Sequence, residues 1–535
     1  GHGTDTLNFE YTVVEGHQDS SDLQVSNWDL TDASIKDLNG NNFTQSVNSL
    51  SNIKVDANRA EVDIIRASYK GPFNLETNNN TISIEVIFNE SVTIDRNGDA
   101  DKNPKLKLSN SKEAIFDSHN GATMIFNYVI QPNDIDTVTL PDAADLVVEK
   151  WISNGTKILD PALNVSYADN SDGNEEHPLG DVTLKDSAQE KVVFDSKRAE
   201  IADYLVTSSI PADQDGKYNI DDTIIIKVVF DENITLNLNS GTGPKLGLSN
   251  DADANYDADM SADLNDNKAL VFKYEIAAGE DSSQLSVSSW KNNGSNIEDN
   301  YGNISYNGNE SQNVILYHDN NDTDTKLIID ATKPTIRELE GGALDITTPD
   351  AGHYGPVAGR NELSFTIKTS EDVKFASPPS LSLSNGTTAT YVANSSTASS
   401  LVFNYTVGDN DTSTTVGADL EITGITGLIT DLAGNDFVSQ INSGNPLNLS
   451  GVVIDTVLPT FDSVEAAAHQ IYGKGSTLTI TATFSENVEL VGAPKPLLVL
   501  SNGETATYES GSGTQELVFE YTVADDDTHA DSEEL

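Results

Sequence analysis

Acidic side chains recur in this sequence at three kinds of position, and carboxylates are hard-oxygen metal ligands. Four linker-like segments share an aspartate, at Asp56, Asp195, Asp330 and Asp455. Alternating strand-like segments end in glutamates, at Glu90, Glu232 and Glu371. A polar loop motif carries further aspartates, at Asp37, Asp160, Asp299 and Asp431. Calcium binds six to eight oxygen ligands of this kind; the alternative interpretation is that the aspartates form turns and the glutamates are solvated.

We expect these carboxylates to meet at junctions, where a linker lies against loops of two neighbouring repeats. Each predicted set combines a strand-end glutamate, a loop aspartate and the linker aspartate that follows them in the chain. The sets are Glu90, Asp160 and Asp195; Glu232, Asp299 and Asp330; and Glu371, Asp431 and Asp455. The incomplete repeat at the start contributes Asp37 and Asp56.

A second candidate site is local to one loop. Oxygen-bearing side chains alternate along it, at Asp95, Asn97, Asp99 and Asp101. This spacing is similar to the first half of an EF-hand loop, but the twelfth position is Leu106 and not glutamate, so an EF-hand is not supported. A single-loop calcium site and a solvated acidic loop both remain open.

The sequence repeats internally, and the repeated segments predict the strands and loops that carry these carboxylates. In each unit a linker is followed by an alternating strand, a Leu-Ser-Asn segment and an aromatic strand such as LVFNYTV, always in that order. The predicted complete units are repeat 1 (56–194), repeat 2 (195–329, with an acidic insertion) and repeat 3 (330–454). Segment 1–55 carries only late landmarks, and 455–535 only early ones. Truncation of a longer array and completion by a neighbouring chain are the two explanations.

The pattern of these segments predicts an all-β fold. Short strands with period-two alternation are separated by turn signals, and no helical periodicity extends over about 11 residues. We expect a tandem array of immunoglobulin-like, Greek-key β-sandwiches. Short linkers such as that at Lys333-Pro334 would make the array an elongated rod, because proline restricts itself and its predecessor.

Composition excludes several classes of function. Lys and Arg total 30 against 85 Asp and Glu, a net charge of −55, which repels nucleic acid and anionic membranes. Cysteine is absent, so disulfides and thiolate chemistry are excluded. We expect no membrane span and no signal peptide within this segment. The histidines follow no catalytic motif, and we expect no enzymatic activity.

The segments IIDATKPTI, FSEN, LVFNYTV and ITDLAGN together resemble the immunoglobulin-like, cadherin-like repeats of bacterial surface proteins. That group includes giant calcium-dependent adhesins, motility surface proteins and surface-layer proteins. The resemblance implies calcium dependence and an extracellular location, at a cell surface or secreted. The leading hypothesis is therefore a spacer or adhesin stalk that interdomain calcium makes rigid, with calcium and neighbouring repeats, of the same or an identical chain, as its partners.

Two other functions remain open from the sequence. One is a self-assembling subunit of a surface layer or extracellular filament, completed by strand addition between chains. The other is a carbohydrate-binding module that contacts surface glycans or another cell surface. Sugar stacking would need exposed aromatic side chains, and the tryptophans precede the loop aspartates at regular spacing, at Trp28, Trp151 and Trp290. Ile422 takes this place in repeat 3, which favours a packing role for all of them.

Overall fold

The computed structural model describes most of the chain and divides it into two compact units. The described residues are 4–19, 22–44, 46, 50–138, 144–168, 176–208, 217–239, 241–264, 266–319, 322–415, 417–466 and 471–525. Unit 1 is Gly1–Ala331 and unit 2 is Thr332–Leu535. Within the described residues, the helices are too short to have the dimensions of a membrane-spanning helix. The prediction of an all-β fold is confirmed, and β-sandwich sheets follow one another along the chain.

Unit 1 opens with a short ladder and then the sheets of repeat 1. The ladder pairs β1 (Gln18–Asp19) with β2 (Val55–Asp56). The strands of repeat 1 are β3 (Val62–Ala67), β4 (Thr81–Phe88), β5 (Thr93–Asp95), β6 (Lys105–Leu108), β7 (Glu113–Asn120), β8 (Thr123–Val129), β9 (Val147–Ile152), β10 (Lys157–Leu159), β11 (Val165–Ser166) and β12 (Glu176–Thr183). One sheet has the order β12-β9-β6-β7-β8-β4-β3, and a smaller one has the order β11-β10-β5.

Repeat 2 builds the same seven-stranded arrangement. Its elements are β13 (Ile201–Ser208), β14 (Lys217–Tyr218), β15 (Thr223–Phe230), β16 (Ile234–Asn237), β17 (Lys245–Leu248), β18 (Asp253–Tyr256), α1 (Ala258–Asp263), β19 (Ala269–Glu275), β20 (Ser286–Lys291), β21 (Asn296–Asp299), β22 (Ile304–Ser305), β23 (Glu310–Ile315), β24 (Tyr317–Asp319), β25 (Asp322–Lys326) and β26 (Ile328–Ile329). The main sheet has the order β13-β15-β19-β18-β17-β20-β23. The smaller sheets are β16-β21-β22, β14-β26 and β24-β25. The acidic insertion forms α1, whose first turn is capped by Asp257.

Unit 2 contains repeat 3 and a partial sheet. Repeat 3 has β27 (Ile346–Thr347), β28 (Gly352–Tyr354), β29 (Glu362–Lys368), β30 (Val373–Phe375), β31 (Ser380–Leu383), β32 (Thr388–Tyr391), a 3-10 turn (Ala393–Ser395), β33 (Ser400–Thr406), β34 (Glu421–Thr426), β35 (Ile429–Asp431), β36 (Leu447–Asn448) and β37 (Val452–Ile454). Its main sheet is β27-β29-β33-β32-β31-β34-β36, with β28-β37 and β30-β35 as ribbons. The last segment forms β38 (Phe461–Ala466), β39 (Thr477–Val488), β40 (Leu497–Val499), β41 (Thr505–Ser510) and β42 (Thr514–Thr522), in the order β38-β39-β42-β41-β40.

Alternation along the strands produces one apolar core in each repeat. In β4 the side chains of Ile82, Ile84 and Val86 are fully buried, and the residues between them are half-buried. Trp151 and Trp290 are also fully buried, which confirms the packing role expected for these two positions. Trp28 is half-buried, and its indole Nε1 donates to the Ser46 carbonyl at 3.0 Å. These three tryptophans are therefore packing or half-covered groups, and not an exposed platform.

Residues 7–13 (LNFEYTV) match the aromatic strand of the repeats in sequence but form no strand. In repeat 1 its counterpart β8 lies between β4 and β7 and is hydrogen-bonded to both. In the described part of segment 1–55, residues 7–13 join no ladder. Phe9 and Tyr11 are accordingly 74% and 56% exposed, whereas Phe126 and Tyr128 of β8 are buried.

The Leu-Ser-Asn landmark has a buried polar function in every repeat. In repeat 1 the Asn110 amide donates to the Tyr128 hydroxyl at 2.9 Å, and that hydroxyl donates to Asp134 Oδ2 at 2.5 Å. A partnered buried hydroxyl avoids the penalty that an unpartnered one carries. The same network occurs as Asn250, Tyr274 and Glu280, and as Asn385, Tyr405 and Asp411, and the Asn–Tyr bond recurs as Asn502 and Tyr521.

Candidate metal centre

The linker aspartates accept hydrogen bonds from within their own linker, and Asp195 is also hydrogen-bonded to repeat 1. The Asp195 N–H donates to the Phe73 carbonyl at 2.9 Å, which fixes the linker to repeat 1. Its Oδ1 accepts the Lys197 N–H at 3.0 Å, two residues on. Asp56 and Asp455 make the same short turn, with N–H groups two residues on at 3.2 and 3.0 Å. The turn orients each carboxylate at the point where one repeat ends and the next begins.

The loop aspartates accept hydrogen bonds within an Asp-x-x-x-Asn motif. In repeat 2, Asp299 Oδ1 accepts the Asn303 N–H at 3.0 Å, and Asp299 Oδ2 accepts Asn303 Nδ2 at 2.9 Å. The motif recurs as Asp160 with Asn164, Asp431 with Asn435, and Asp37 with Asn41. The spacing of four is visible in the sequence and could have been used to find these asparagines, which our sequence analysis missed.

The motif asparagine also binds the linker that precedes its own repeat. Asn164 Nδ2 donates to the carbonyls of Asp56 and Asn58, at 3.1 and 2.8 Å. Asn303 Nδ2 donates to the Lys197 carbonyl at 2.9 Å. Each loop aspartate is therefore drawn toward the linker at the start of its repeat.

Two groups of three carboxylates form in unit 1, and they differ from the predicted sets. Their members have ligand oxygens that all lie within 4.8 Å of one another. The groups are Asp56 with Glu90 and Asp160, and Asp195 with Glu232 and Asp299. The prediction placed Glu90 and Asp160 with Asp195, and Glu232 and Asp299 with Asp330. It was wrong about the linker, because each pair lies with the linker aspartate at the start of its own repeat. The asparagine bonds to the preceding linker are the physical reason.

Electrostatics in the second group, which we call the Asp195 cluster (Asp195, Glu232, Asp299), indicate uncompensated negative charge. Burial, then the charges of Asp299, Asp195 and Asp231, raise the pKa of Glu232 to about 8. Among the described residues, its buried Oε1 has no hydrogen-bond partner. In the Asp56 group, burial followed by Asp160 and Asp56 also raises the pKa of Glu90. An orphaned carboxylate oxygen beside two further carboxylates fits a hard divalent cation.

In unit 2, carboxylates pair at two places. Glu371 and Asp431 have ligand oxygens within 4.8 Å. Asp455 lies against Glu486. Burial, followed by the charge of Asp455 and a hydrogen bond with it, raises the pKa of Glu486. The predicted set therefore needs correction, since Asp455 belongs with the strand-end glutamate that follows it. Glu486 was missing from the predicted ligands although it ends an alternating strand in the same way as Glu90.

Asp37 and the aspartates of the local loop are not gathered in this way. Of the described residues, Asp95, Asp99 and Asp101 form no group of three within 4.8 Å, and Asp95 and Asp99 accept N–H groups of their own loop at 2.9 and 3.1 Å. Asp37 is exposed and likewise joins no such group. The linker aspartate Asp330 is held within unit 1, where its N–H donates to the Tyr218 carbonyl at 2.9 Å. Calcium binding at the Asp95–Asp101 loop stays a prediction.

A docking contact between repeats 1 and 2 surrounds the Asp195 cluster. Asn74 Nδ2 donates to the Tyr301 carbonyl at 2.9 Å, and the Leu75 N–H donates to Asn303 Oδ1 at 2.7 Å. Glu76 Oε1 accepts the Ile304 N–H and pairs with Arg198, at 3.1 and 2.9 Å. The cluster thus lies where two repeats of unit 1 touch, and no sequence motif identified the 74–76 loop in advance.

Comparisons with known proteins return only remote likeness. No protein-family model and no curated protein matches the sequence. A tandem segment from titin is 9% identical over 71% of this chain and 99% of its own, with a TM-score of 0.19. A biofilm-associated protein domain is 10% identical over 88% of this chain and 92% of its own, with a TM-score of 0.20. The surface-layer protein SbsC, domains 4–9, is 10% identical over 94% of each chain, with a TM-score of 0.10.

The carboxylate groups of the described residues are arranged as cation sites. Each group supplies carboxylate oxygens from three separate elements, a linker, a strand end and a loop. A cation that touched all three would tie those elements together. These clusters are accordingly candidate metal centres of a structural kind.

Proposed function

We propose that this chain is a segment of an extracellular spacer or adhesin stalk in which calcium at the repeat junctions stiffens a tandem of β-sandwiches. The observation that carries the proposal is the Asp195 cluster. Its linker aspartate is anchored to repeat 1 through Phe73, and its other two carboxylates belong to repeat 2. Calcium at this place would resist rotation of one repeat against the other.

The donor set favours calcium over a softer metal. The members of both unit 1 groups are carboxylates, and the chain has no cysteine. Carboxylate and carbonyl oxygens suit calcium and magnesium, whereas thiolate and imidazole suit zinc and copper. The flexible geometry that calcium accepts fits a site assembled from a linker and two loops.

The charge of the chain gives calcium a second role. A net charge of −55 opposes compaction, and cations held within the fold reduce that repulsion. Extracellular calcium modules commonly have dissociation constants of about 0.1 to 1 mM, and we expect affinities in this range here. The partners in this proposal are calcium and neighbouring repeats.

An ion that binds only the native state adds RT ln(1 + c/Kd), where c is the free ion concentration, to the free energy of unfolding. A site at ten to a hundred times its Kd contributes about 1.4 to 2.7 kcal/mol. We expect calcium to raise the melting temperature of the chain, and to increase its maximum dimension in solution scattering relative to chelator.

The decisive variant neutralises the most buried cluster without changing its shape. Asp195→Asn with Asp299→Asn should remove one calcium ion from the stoichiometry measured by titration calorimetry. The matched control is Asp99→Asn with Asp101→Asn in the exposed loop, which should leave the junction ion in place. Equal calcium binding by wild type and the cluster variant, or equal melting in calcium and chelator, would contradict the proposal.

A further inference from the structure

A solvent-open groove of about 730 Å³ lies in repeat 2, and none of the three members of the Asp195 cluster lines it. One wall is the start of β13, and the other runs from β22 into β23. The residues that line the groove include Asp203, Tyr204, Ser305, Tyr306, Glu310 and Gln312. Two aromatic rings and several hydrogen-bonding side chains thus face one concavity.

Repeat 1 has filled the same place with packed side chains. His177 and Glu310 are equivalent, because they pair with Trp151 and Trp290 at matching positions of the two sheets. In repeat 1 the His177 ring packs edge-on against Tyr167 at 5.8 Å, and Leu179, two residues on, packs against the core. In repeat 2 these places hold Glu310 and Gln312. Glu310 and Gln312 therefore distinguish the groove of repeat 2 from the packed surface of repeat 1.

Polar groups at the groove lack the partners that repeat 1 provides. Ser166 of repeat 1 donates to the Ala60 carbonyl at 2.7 Å. Its equivalent Ser305 has a buried hydroxyl with no hydrogen-bond partner among the described residues, and the same is true of the Tyr204 hydroxyl. Leaving such groups unpartnered is unfavourable, so a ligand that engages them after a small local adjustment would recover free energy.

The charge at the groove restricts the class of ligand. Asp203 and Glu310 lie at its walls in a strongly acidic chain, which disfavours an anion. Arg198 also lines the groove but is already paired with Glu76. Burial raises the pKa of Glu310, so a ligand that donates hydrogen bonds would stabilise its charged form.

We propose that this groove binds a neutral saccharide. Sugar hydroxyls both donate and accept, as the Tyr204 and Ser305 hydroxyls and the Gln312 amide require, whereas an ammonium group only donates. The C–H face of a sugar ring packs on an aromatic ring, which the half-buried Tyr204 supplies at the groove wall. A concave site with a few convergent polar groups is the usual form of a small-ligand site.

The test uses the whole chain, a panel of neutral mono- and disaccharides, and saturation-transfer NMR, with a neutral glycan array in parallel. Wild type should bind at least one panel member. Tyr204→Phe and Glu310→Gln should each weaken that binding about tenfold or more, which corresponds to about 1.4 kcal/mol. Glu275→Gln, an exposed carboxylate of β19 in the same repeat, should bind as wild type does.

A double variant separates loss of the groove from loss of the fold. Glu310→His with Gln312→Leu installs the residues of repeat 1 and should abolish saccharide binding while the melting temperature stays the same or rises. The proposal is overturned if no neutral saccharide binds wild type, or if the double variant binds as wild type does. Binding of a polyamine such as putrescine in place of saccharides would overturn the assigned ligand class.

Discussion

The Asn303 amide donates to the Lys197 carbonyl at 2.9 Å, and this bond joins the loop of the Asp195 cluster to the linker that precedes repeat 2. The same amide nitrogen donates to Asp299 Oδ2. One side chain therefore orients a carboxylate of the cluster and restrains the linker that carries another.

Asn303→Ala should destabilise the chain by about 1 to 3 kcal/mol, because it leaves the buried Asp299 carboxylate and the Leu75 N–H without this partner. Denaturant unfolding of unit 1 in chelator would measure the loss. The matched control is Asn164→Ala, since Asn164 binds its own linker in the same way. Asn303 also accepts the Leu75 N–H of repeat 1, so its loss should be the larger; equal losses would count against a role in docking the repeats.

The pH dependence of stability should change sign when calcium is added. Burial and nearby carboxylates raise the pKa of Glu232 to about 8, so the native state holds a proton that the unfolded state releases at lower pH. In chelator, this contribution to the free energy of unfolding is present below the unfolded pKa and is lost as pH rises from about 5 to about 8.

In excess calcium, binding to the ionised carboxylates should make the chain more stable at the upper end of that range. Melting temperatures across the range, with and without calcium, provide the measurement. Glu232→Gln should flatten the slope seen in chelator. A slope in chelator that this substitution leaves unchanged would show that Glu232 does not cause it.

Tyr128→Phe should cost about 1 to 3 kcal/mol in repeat 1, because Asn110 and the buried Asp134 both lose the hydroxyl that joins them. Tyr69→Phe is the control, since Tyr69 is 54% exposed. Chemical denaturation compares the two. Similar small effects would mean that the buried network contributes nothing measurable.

Gly302→Ala should loosen the docking of repeats 1 and 2. Gly302 has a φ of +90°, and a Cβ there would lie 2.7 Å from Asn74 Nδ2. Gly279→Ala isolates the backbone effect, since φ is +84° and nothing lies within 4 Å of its Cβ position. We expect Gly302→Ala to cost about 1 kcal/mol more than this control, the typical scale of an overpacked contact.

A double-mutant cycle tests whether the extra loss of stability in Gly302→Ala comes from the contact with Asn74. Adding Asn74→Ala removes the group that the new Cβ would meet, so the two substitutions should be non-additive in denaturant unfolding. Additive losses would place the strain of Gly302→Ala elsewhere than at Asn74.

The sequence alone determined the order of the elements and their all-β character. Strands such as β4 and β15 were predictable because a half-buried strand needs alternation, and alternation is written locally. The recurring carboxylates were predictable as residues for the same reason, since each stands at a fixed place relative to a strand or turn. The burial of Trp151 also followed from the tolerance of Ile422 at the equivalent place.

Only the tertiary structure decided which carboxylates meet. Asp56 and Asp195 flank the same repeat in sequence, and either could in principle have joined Glu90 and Asp160. The choice depends on Asn164, whose amide reaches the carbonyls of Asp56 and Asn58 across the sandwich. Contacts over such sequence separations leave no local pattern. The groove of repeat 2 arose in the same way, because it depends on two strand residues that differ from their packed counterparts in repeat 1.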